Sequence, residues 1–546
     1  MKKTLLLASA MMLGAQGIMA LSPLVYDNAQ FLGISPDASL AASYLYESAA
    51  FINPKTGDIL ATYMPDENGI ISYNGTNGNI VSNTGIILGS TTSLGNAAFW
   101  KQGKEWTELS VPDPSKGNGA CGISADGLYI CGYVGLTGIS IEDHPTPMIV
   151  PAVWTLQSDG TYGEPEILPY PEKDFTNRVP QYVTAVCISD DGKTVAGQVQ
   201  DYSGCLTTPI VFKKGDDGKW AYTMPAEDLL NPDKLVLPDY PGESPAQPQP
   251  TDFMSDAEAE AYNAAVDAWD WSSGDPYPEA TDYMTDEEIA AYNAAVAAWQ
   301  TAYDEWSAKY MAWDTVFGEI LAKATAFEFN VIDLTPDGKT MLQCMHKEFK
   351  DPDAWMPIVK YGAATFDLEN GTRKLYNIED NVSAGHLTND GTILGFVTDQ
   401  TTMAETAMLY LPGQDTPTPL HEYIQTVNPE LYEWMSNNMR HDIETYDMET
   451  GDPITMEDVW ITGRPLATRD GLMYLTTVVN TFNYNIETLT FGYVLPISDN
   501  VSVKNVAVEE DAPVHYYNLQ GVEVENPQKG QIVIRTQGEK AEKIVF

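Results

Sequence analysis

Positive charge is scarce in this sequence. Its 546 residues carry 29 lysines and arginines against 77 aspartates and glutamates, a formal net charge of −48. Only six of the basic residues are arginines: Arg178, Arg373, Arg440, Arg464, Arg469 and Arg535. A chain this acidic repels phosphate backbones and anionic lipid surfaces, so no nucleic-acid or membrane-surface partner is expected. Histidine is equally sparse. His144, His346, His386, His421, His441 and His515 show no HxH or HxxxH spacing, and no zinc site is legible. GxSxG, Walker-type and GxGxxG loops are missing, and with them the hydrolase and nucleotide-binding classes those loops define. Beyond residue 20 no apolar run is long enough to cross a bilayer. Sequence alone therefore names no catalytic, cofactor-binding or metal-ligating residue.

Cysteine is also rare. Cys121, Cys131, Cys187, Cys205 and Cys344 are odd in number and lack CxxC or metal-type spacing. Runs such as Tyr129-Ile130-Cys131 and Val186-Cys187-Ile188 place them in strands, where small buried hydrophobes are expected. A Cys121–Cys131 bridge across one hairpin is the alternative, since the chain reads as exported. That reading rests on residues 1–20, where Lys2 and Lys3 precede an apolar Thr4 to Ala15 stretch too short to span a bilayer. Small residues follow, with cleavage expected after Gly17 or Ala20. This is a secretory signal peptide, and it directs the chain to the periplasm, cell surface or extracellular space.

What the sequence has in abundance is a repeated phrase. A hydroxyl residue, one variable residue and Asp-Gly recur in Ile123-Ser124-Ala125-Asp126-Gly127, Ile188-Ser189-Asp190-Asp191-Gly192 and Leu334-Thr335-Pro336-Asp337-Gly338. Leu387-Thr388-Asn389-Asp390-Gly391 and Ala467-Thr468-Arg469-Asp470-Gly471 continue the series. Two copies are degraded, Ser35-Pro36-Asp37-Ala38 without the glycine and Ser82-Asn83-Thr84-Gly85 without the aspartate. Asp-Gly suits a type I′ hairpin turn with positive φ at both residues, and the hydroxyl tightens the corner. A second phrase, two small or apolar residues before an aromatic or apolar one, alternates with the first. Its copies are Ala50-Phe51-Ile52, Ala98-Phe99-Trp100, Ala152-Val153-Trp154, Ile210-Val211-Phe212, Ala364-Thr365-Phe366, Met408-Leu409-Tyr410 and Phe491-Gly492-Tyr493. Four short antiparallel strands per unit, repeated seven times, predict an all-β, seven-bladed β-propeller.

The alternation of Ile-Ser-x-Asp-Gly with a small-x-x-Trp strand resembles the HAF family of extracellular repeats, over roughly residues 30–495. Leu420-His421-Glu422-Tyr423-Ile424, followed by Leu431-Tyr432-Glu433-Trp434, is similar to a short helical passage before the last repeat in such proteins. The resemblance implies a propeller and brings no catalytic residues with it. A sialidase Asp-box is excluded because its Asp and Gly are separated by a residue, whereas here they adjoin.

Spacing between turns locates what has been added. Ser189 and Thr335 are 146 residues apart, leaving roughly 100 residues beyond one blade. Thr388 and Thr468 are 80 apart, which implies a smaller insertion. Within 226–330, Pro238, Pro241, Pro245, Pro248 and Pro250 read as an extended linker. A unit then repeats at an offset of 30: Thr251-Asp252-Phe253-Met254-Ser255 is echoed by Thr281-Asp282-Tyr283-Met284-Thr285. Capping boxes, Ser255 with Glu258 and Thr285 with Glu288, start two helices of an expected hairpin. Along the second, running to about Ala326, Tyr292, Trp299, Tyr303, Trp306, Tyr310, Trp313 and Phe317 make an aromatic seam. The seam is expected to pack on the first helix and the propeller wall; an exposed sugar platform or partner groove is the alternative.

Residues 516–534 read as a compact β-meander. It resembles the C-terminal tails of exported Bacteroidetes proteins, related to type IX sorting signals, through its Asn518-Leu519-Gln520-Gly521 and Pro527-Gln528-Lys529-Gly530 elements. The expected division is thus signal peptide 1–20, propeller 21–225 and 331–497, insertion 226–330, and tail 498–546.

Cofactors are not expected. Asp190-Asp191-Gly192 and Asp216-Asp217-Gly218 could ligate calcium, but they lack the EF-hand spacing and read as plain turns. The expected function is a non-catalytic binding or scaffolding module for glycan or protein at the cell surface, with exposed aromatics near Trp355 or Trp460. One alternative is a polysaccharide-acting hydrolase or lyase with carboxylates at the channel mouth. Another is a structural surface component whose projecting hairpin holds a partner.

Overall fold

The computed structural model describes residues 22–497 except 47, 64–69, 72–78, 92–94, 102–103, 137–148, 175, 177, 181, 201–205, 271–275, 327, 350–357, 400–401, 447–450 and 481–488. Of the tail it describes the strands 514–517, 532–537 and 540–545. The signal segment, His144, Cys205, Trp355 and the Asn-Leu-Gln-Gly and Pro-Gln-Lys-Gly elements lie outside the described residues.

The architecture is mostly β. Each Asp-Gly phrase or its degraded copy links the first and second strands of an antiparallel meander, and each small-to-aromatic phrase falls in the third strand. Six meanders of four strands span 29–63, 70–108, 118–167, 182–223, 328–375 and 383–419, called units 1 to 6 here. Units 3, 4 and 5 join into one larger sheet through single parallel pairings, Ile149 with Tyr182 and Thr207 with Glu328. Unit 7 has three strands of its own, within 464–496, and takes its outer strand, Leu24–Asp27, from the far end of the chain. The N-terminal strand thereby pairs with Leu489–Pro496 and ties the two ends of this part of the chain together.

The turn itself differs from expectation. At every Asp-Gly phrase only the glycine has positive φ, 74° at Gly127 for example, while the aspartate does not. The turn is therefore not type I′. The aspartate acts through its side chain: Asp126 Oδ1 accepts from Ser124 Oγ at 2.7 Å and from the Leu128 N–H at 2.9 Å. The buried Ser124 Oγ in turn accepts from the Tyr129 N–H at 3.0 Å, and the Gly127 N–H bonds Ser124 O at 2.9 Å. This is a four-residue connection built on a type I turn with glycine left-handed after it. Ser189 with Asp191, Thr388 with Asp390 and Thr468 with Asp470 repeat the clamp at 2.6, 2.6 and 2.5 Å.

The third strands explain the small-to-aromatic phrase. Trp100, Trp154, Phe51, Phe212 and Tyr410 are fully buried, beside Ala50, Ala98, Ala152 and Ala407 with no exposed surface. Small residues let neighbouring strands approach, and the aromatics fill the space between units. Close approach also selects glycine: a Cβ on Gly132 would lie 2.0 Å from Gly119 O in the paired strand. Gly197 and Gly395 sit in the equivalent place, 2.2 and 2.5 Å from a facing carbonyl. A Gly132→Ala substitution is expected to destabilise by about 3 kcal/mol or more, since backbone must move to admit the methyl. Urea denaturation with an unchanged midpoint would contradict this packing.

Cys121, Cys131, Cys187 and Cys344 are free and buried, which overturns the alternative of a Cys121–Cys131 bridge. Burial pushes the Cys121 thiol up to about 12 and that of Cys131 well above its usual value, so they behave as inert apolar groups.

The insertion after unit 4 holds α1 (Asp256–Ala268) and α2 (Asp286–Lys323), each with its capping box formed. Each copy of the duplicated segment opens on a short 3-10 turn that packs on the helix of the other copy. Phe253 of the first copy meets Tyr292 of the second at 5.7 Å, and Tyr283 of the second meets Tyr262 of the first at 5.7 Å. Because Phe253 corresponds to Tyr283 and Tyr262 to Tyr292, the contact is reciprocal, a two-fold arrangement within one chain.

What covers the aromatic seam is the proline-rich stretch, not α1. Trp299 Nε1 donates to Pro245 O and Trp306 Nε1 to Gly242 O, both at 2.9 Å, and Tyr240 packs edge-on against Trp313. Proline carbonyls keep their lone pairs free while the ring removes the competing N–H. The expected linker is thus an extended strap on α2. At 38 residues and 1.5 Å rise, α2 is about 57 Å long. Its only buried residues, Trp313 and Ile320, lie in its C-terminal half, which anchors it.

The smaller insertion, between units 6 and 7, comprises α3 (Leu420–Val427), α4 (Pro429–Asn438) and a hairpin of Arg440–Tyr446 with Pro453–Trp460. Leu420, Ile424, Leu431 and Met435, at helical spacing, bury one face of both helices among Leu394, Leu409 and Tyr493. In the tail, Val514–Tyr517, Ile532–Gln537 and Lys540–Val545 pair as a three-stranded antiparallel sheet. Among the described residues, no helix is long and apolar enough to cross a membrane.

Candidate functional site

All seven units contribute residues to one pocket. Its lining includes Ile34 and Pro36 from unit 1, Val81 from unit 2, Ala125 from unit 3 and Asp190 from unit 4. Pro336, His386 and Arg469 represent units 5, 6 and 7. In five first strands a β-bulge falls at the same place, between Phe31 and Gly33, Ala120 and Gly122, Ala185 and Cys187, Val331 and Asp333, and Ala384 and His386. A bulge breaks the alternation of side chains and re-aims the residue that follows. Cys187, Asp333 and His386 are the residues re-aimed here.

The variable position of the turn phrase stitches the units together. The Asp37 N–H donates to Asn83 Oδ1, Asn83 N–H to Ala125 O, Ala125 N–H to Asp190 Oδ1 and Asp190 N–H to Pro336 O, all at 2.8–2.9 Å. Pro336 has no N–H to pass on. There the buried Asp333 takes over, accepting the Leu387 N–H of unit 6 at 2.9 Å. The Asn389 N–H then bonds Arg469 O at 2.7 Å.

Arg469, the one basic residue at the variable position, lies across the pocket. Its guanidinium donates to both Asp333 oxygens, at 2.8 and 2.7 Å, to Leu387 O at 2.6 Å and to Asn79 Oδ1 at 2.7 Å. Asn79 Nδ2 also donates to Asp333 Oδ1 at 2.7 Å. One ion pair therefore ties units 2, 5, 6 and 7. Burial by itself would raise the Asp333 carboxyl; the Arg469 charge, and then His386, outweigh it and hold the group far below the usual carboxylate range. His386 Nδ1 is 3.1 Å from Asp333 Oδ2 but is not aligned as a hydrogen bond, and its buried Nε2 has no partner. The void left among these groups is about 20 Å³, the room one water needs. A saccharide does not fit there.

The expected calcium-type turns are occupied as turns. Asp191 is the clamp of its phrase, Asp190 holds Ala125, and Asp217 Oδ1 accepts the Lys219 N–H at 3.1 Å. Among the described residues, no group of three or more His, Cys, Asp or Glu is placed to hold a metal ion. The structure disperses the other described histidines: His346 stacks on Tyr361, His441 bonds Asn438 O, and His515 is exposed in the tail.

A second, larger concavity of about 620 Å³ lies on the smaller insertion, lined by His421, Tyr432, Trp460, Gln414, Glu422 and Gln425 among others. His421 stacks flat on Trp460, centroids 4.3 Å apart and planes 8° apart, and Tyr432 approaches the same indole at 5.6 Å. Burial, with Arg440 adding to it, lowers His421 to about 4, so the ring is neutral near pH 7. Trp460, expected as an exposed aromatic on a loop, instead ends the strand Pro453–Trp460 and is half-buried in this aromatic wall.

No family model matches the chain, and no curated protein matches it. Among solved structures the chain is similar to an oligogalacturonate lyase in complex with manganese, at 11% identity and a TM-score of 0.40, over 88% of this chain and 92% of that one. It is also similar to the WD40 domain of SCAP from fission yeast, at 9% identity and TM-score 0.33, covering 87% and 97%. A polysaccharide lyase gives 7% identity and TM-score 0.36, covering 88% and 90%. Likenesses this slight carry no argument about what the chain does.

Proposed function

We infer that this protein is an exported, HAF-like seven-bladed β-propeller that serves as a non-catalytic recognition module for glycan or protein at the cell surface. The seven meanders are its blades and the axial pocket its central channel. The observation that carries the reading is the Arg469–Asp333 bridge across that channel. Every oxygen of the axial carboxylate is engaged, the remaining void admits one water, and the concavity with ligand dimensions lies elsewhere, against aromatic rings. Residues 1–20 supply the export signal, and the tail acts in sorting or as a folded cap.

One observation favours the enzymatic alternative, a polysaccharide hydrolase or lyase. Asp190 at the channel mouth has its carboxyl raised, by burial first, with Asp126 and Asp191 adding to the shift. Its Oδ1 is nevertheless committed to the Ala125 N–H at 2.8 Å.

The test mixes the mature chain with a panel of polysaccharides and follows both retention and release of reducing ends or unsaturated products. Retention without product is expected. Product formation abolished by Asp190→Asn would replace this reading with the enzymatic one.

A further inference from the structure

The aromatic groove on the smaller insertion has a chemistry that its place in the fold does not require. Its floor is a helix pair that buries Leu420, Ile424, Leu431 and Met435, which accounts for stability without help from the outer face. That outer face combines four rings, Trp460, His421, Tyr432 and Tyr423, with the amides of Gln414 and Gln425 and the carboxylate of Glu422. Rings present flat apolar surface at low entropy cost, and short polar groups around them fix orientation. Among the described residues, the buried Nδ1 of His421 has no hydrogen-bond partner.

Resting on the recognition reading above, we propose that this groove binds a neutral saccharide, stacking a sugar face on the Trp460–His421–Tyr432 wall with its hydroxyls held by Gln414, Gln425 and Glu422. Charge selects the class. The lining holds no lysine or arginine, and the one charged group in it is acidic. Arg440, 6.0 Å from the Trp460 ring, is paired with Asp458 at 2.9 Å. Lys374, on the Gln414 carbonyl at 3.2 Å, is likewise paired, with Asp415 at 2.7 Å, so a uronate chain would meet Glu422 and the field of a −48 protein with no unpaired basic group in the lining. A nucleotide or phosphopeptide meets the same barrier. A neutral sugar loses nothing to it.

Isothermal titration of the full chain against cellohexaose, xylohexaose, mannohexaose, maltohexaose and trigalacturonate tests this, with intrinsic tryptophan fluorescence as a second signal. Binding of at least one neutral hexaose is expected, weakened about tenfold or more by Trp460→Ala. Because that substitution also removes packing, Gln425→Ala, at an exposed position, is measured alongside; it is expected to weaken binding with an unchanged unfolding midpoint. A neutral oligosaccharide bound equally well by both variants would overturn the groove and leave the recognition reading standing. Binding of trigalacturonate alone would overturn the neutral class. No saccharide bound at all would overturn the proposal and move the recognition reading to protein partners.

Discussion

An Arg469→Leu substitution is expected to cost about 3–5 kcal/mol in urea denaturation at pH 7, because it strands the Asp333 carboxylate in a fully buried site. Five acceptors lose their guanidinium donor at once: Asp333 Oδ1, Asp333 Oδ2, Leu387 O, Asn79 Oδ1 and Leu334 O. Two backbone donors, Leu334 N–H and Leu387 N–H, remain on the carboxylate and do not neutralise it. A double substitution with Asp333→Asn is expected to be less destabilised than Arg469→Leu alone, since the stranded charge is gone. Equal stability of wild type and Arg469→Leu would mean that the bridge across the pocket holds nothing together.

The pH dependence follows from the same pair. Asp333 is held below its ordinary 3.8, so its contribution to stability is fully present above that value and is lost as pH falls from about 4 downward. In Arg469→Leu the burial that raises the group is no longer outweighed by the guanidinium, so protonation then stabilises the folded state. The gap between wild type and variant is therefore expected to narrow as pH falls below neutrality. A gap constant from pH 7 to pH 3 would place the charge effect elsewhere.

Trp313→Ala is expected to have a similar size, about 3–5 kcal/mol, but a local reach. The buried indole donates from Nε1 to Thr176 O at 3.1 Å, stacks on Phe317 at 4.7 Å and meets the edge of Tyr240 at 5.2 Å. Leu237 and Ile320 complete this small cluster, which joins α2 and the strap to the body. Its loss is expected to remove hydrogen-exchange protection along α2 while the amides of the turn phrases keep theirs. Trp299→Ala, at a half-buried position further along the helix, is expected to cost less. Loss of protection throughout the sheets in Trp313→Ala would mean that the insertion and the body unfold as one unit.

Much of the fold was legible because its signals are local. Ser124 and Asp126 clamp their own turn, Ala98 and Trp100 pack at the period of a strand, and Ser255 with Glu258 caps its own helix. The error about the type I′ turn was also local: Asp-Gly suggests two positive φ angles, but a serine two residues before the aspartate offers its carboxylate a better role as acceptor. The Arg469–Asp333 site left fainter traces. Asp333 is a lone carboxylate in the apolar run Val331-Ile332-Asp333-Leu334, and Arg469 is the single arginine at the variable position of the phrase. Each is costly to bury alone, which is the signal that the two belong together.

By itself, then, the sequence determined the turns, the strand count per unit, the capped helices and the anionic surface, since each depends on residues close in the chain or on composition. Tertiary structure decided the rest. Arg469 and Asp333 are 136 residues apart, Trp313 and Thr176 137, and Trp299 and Pro245 54. Which partner each finds depends on how the units and the insertion are placed in space. His421 and Trp460 become one wall only when the hairpin from Arg440 to Trp460 returns over α3, a placement that no local periodicity records.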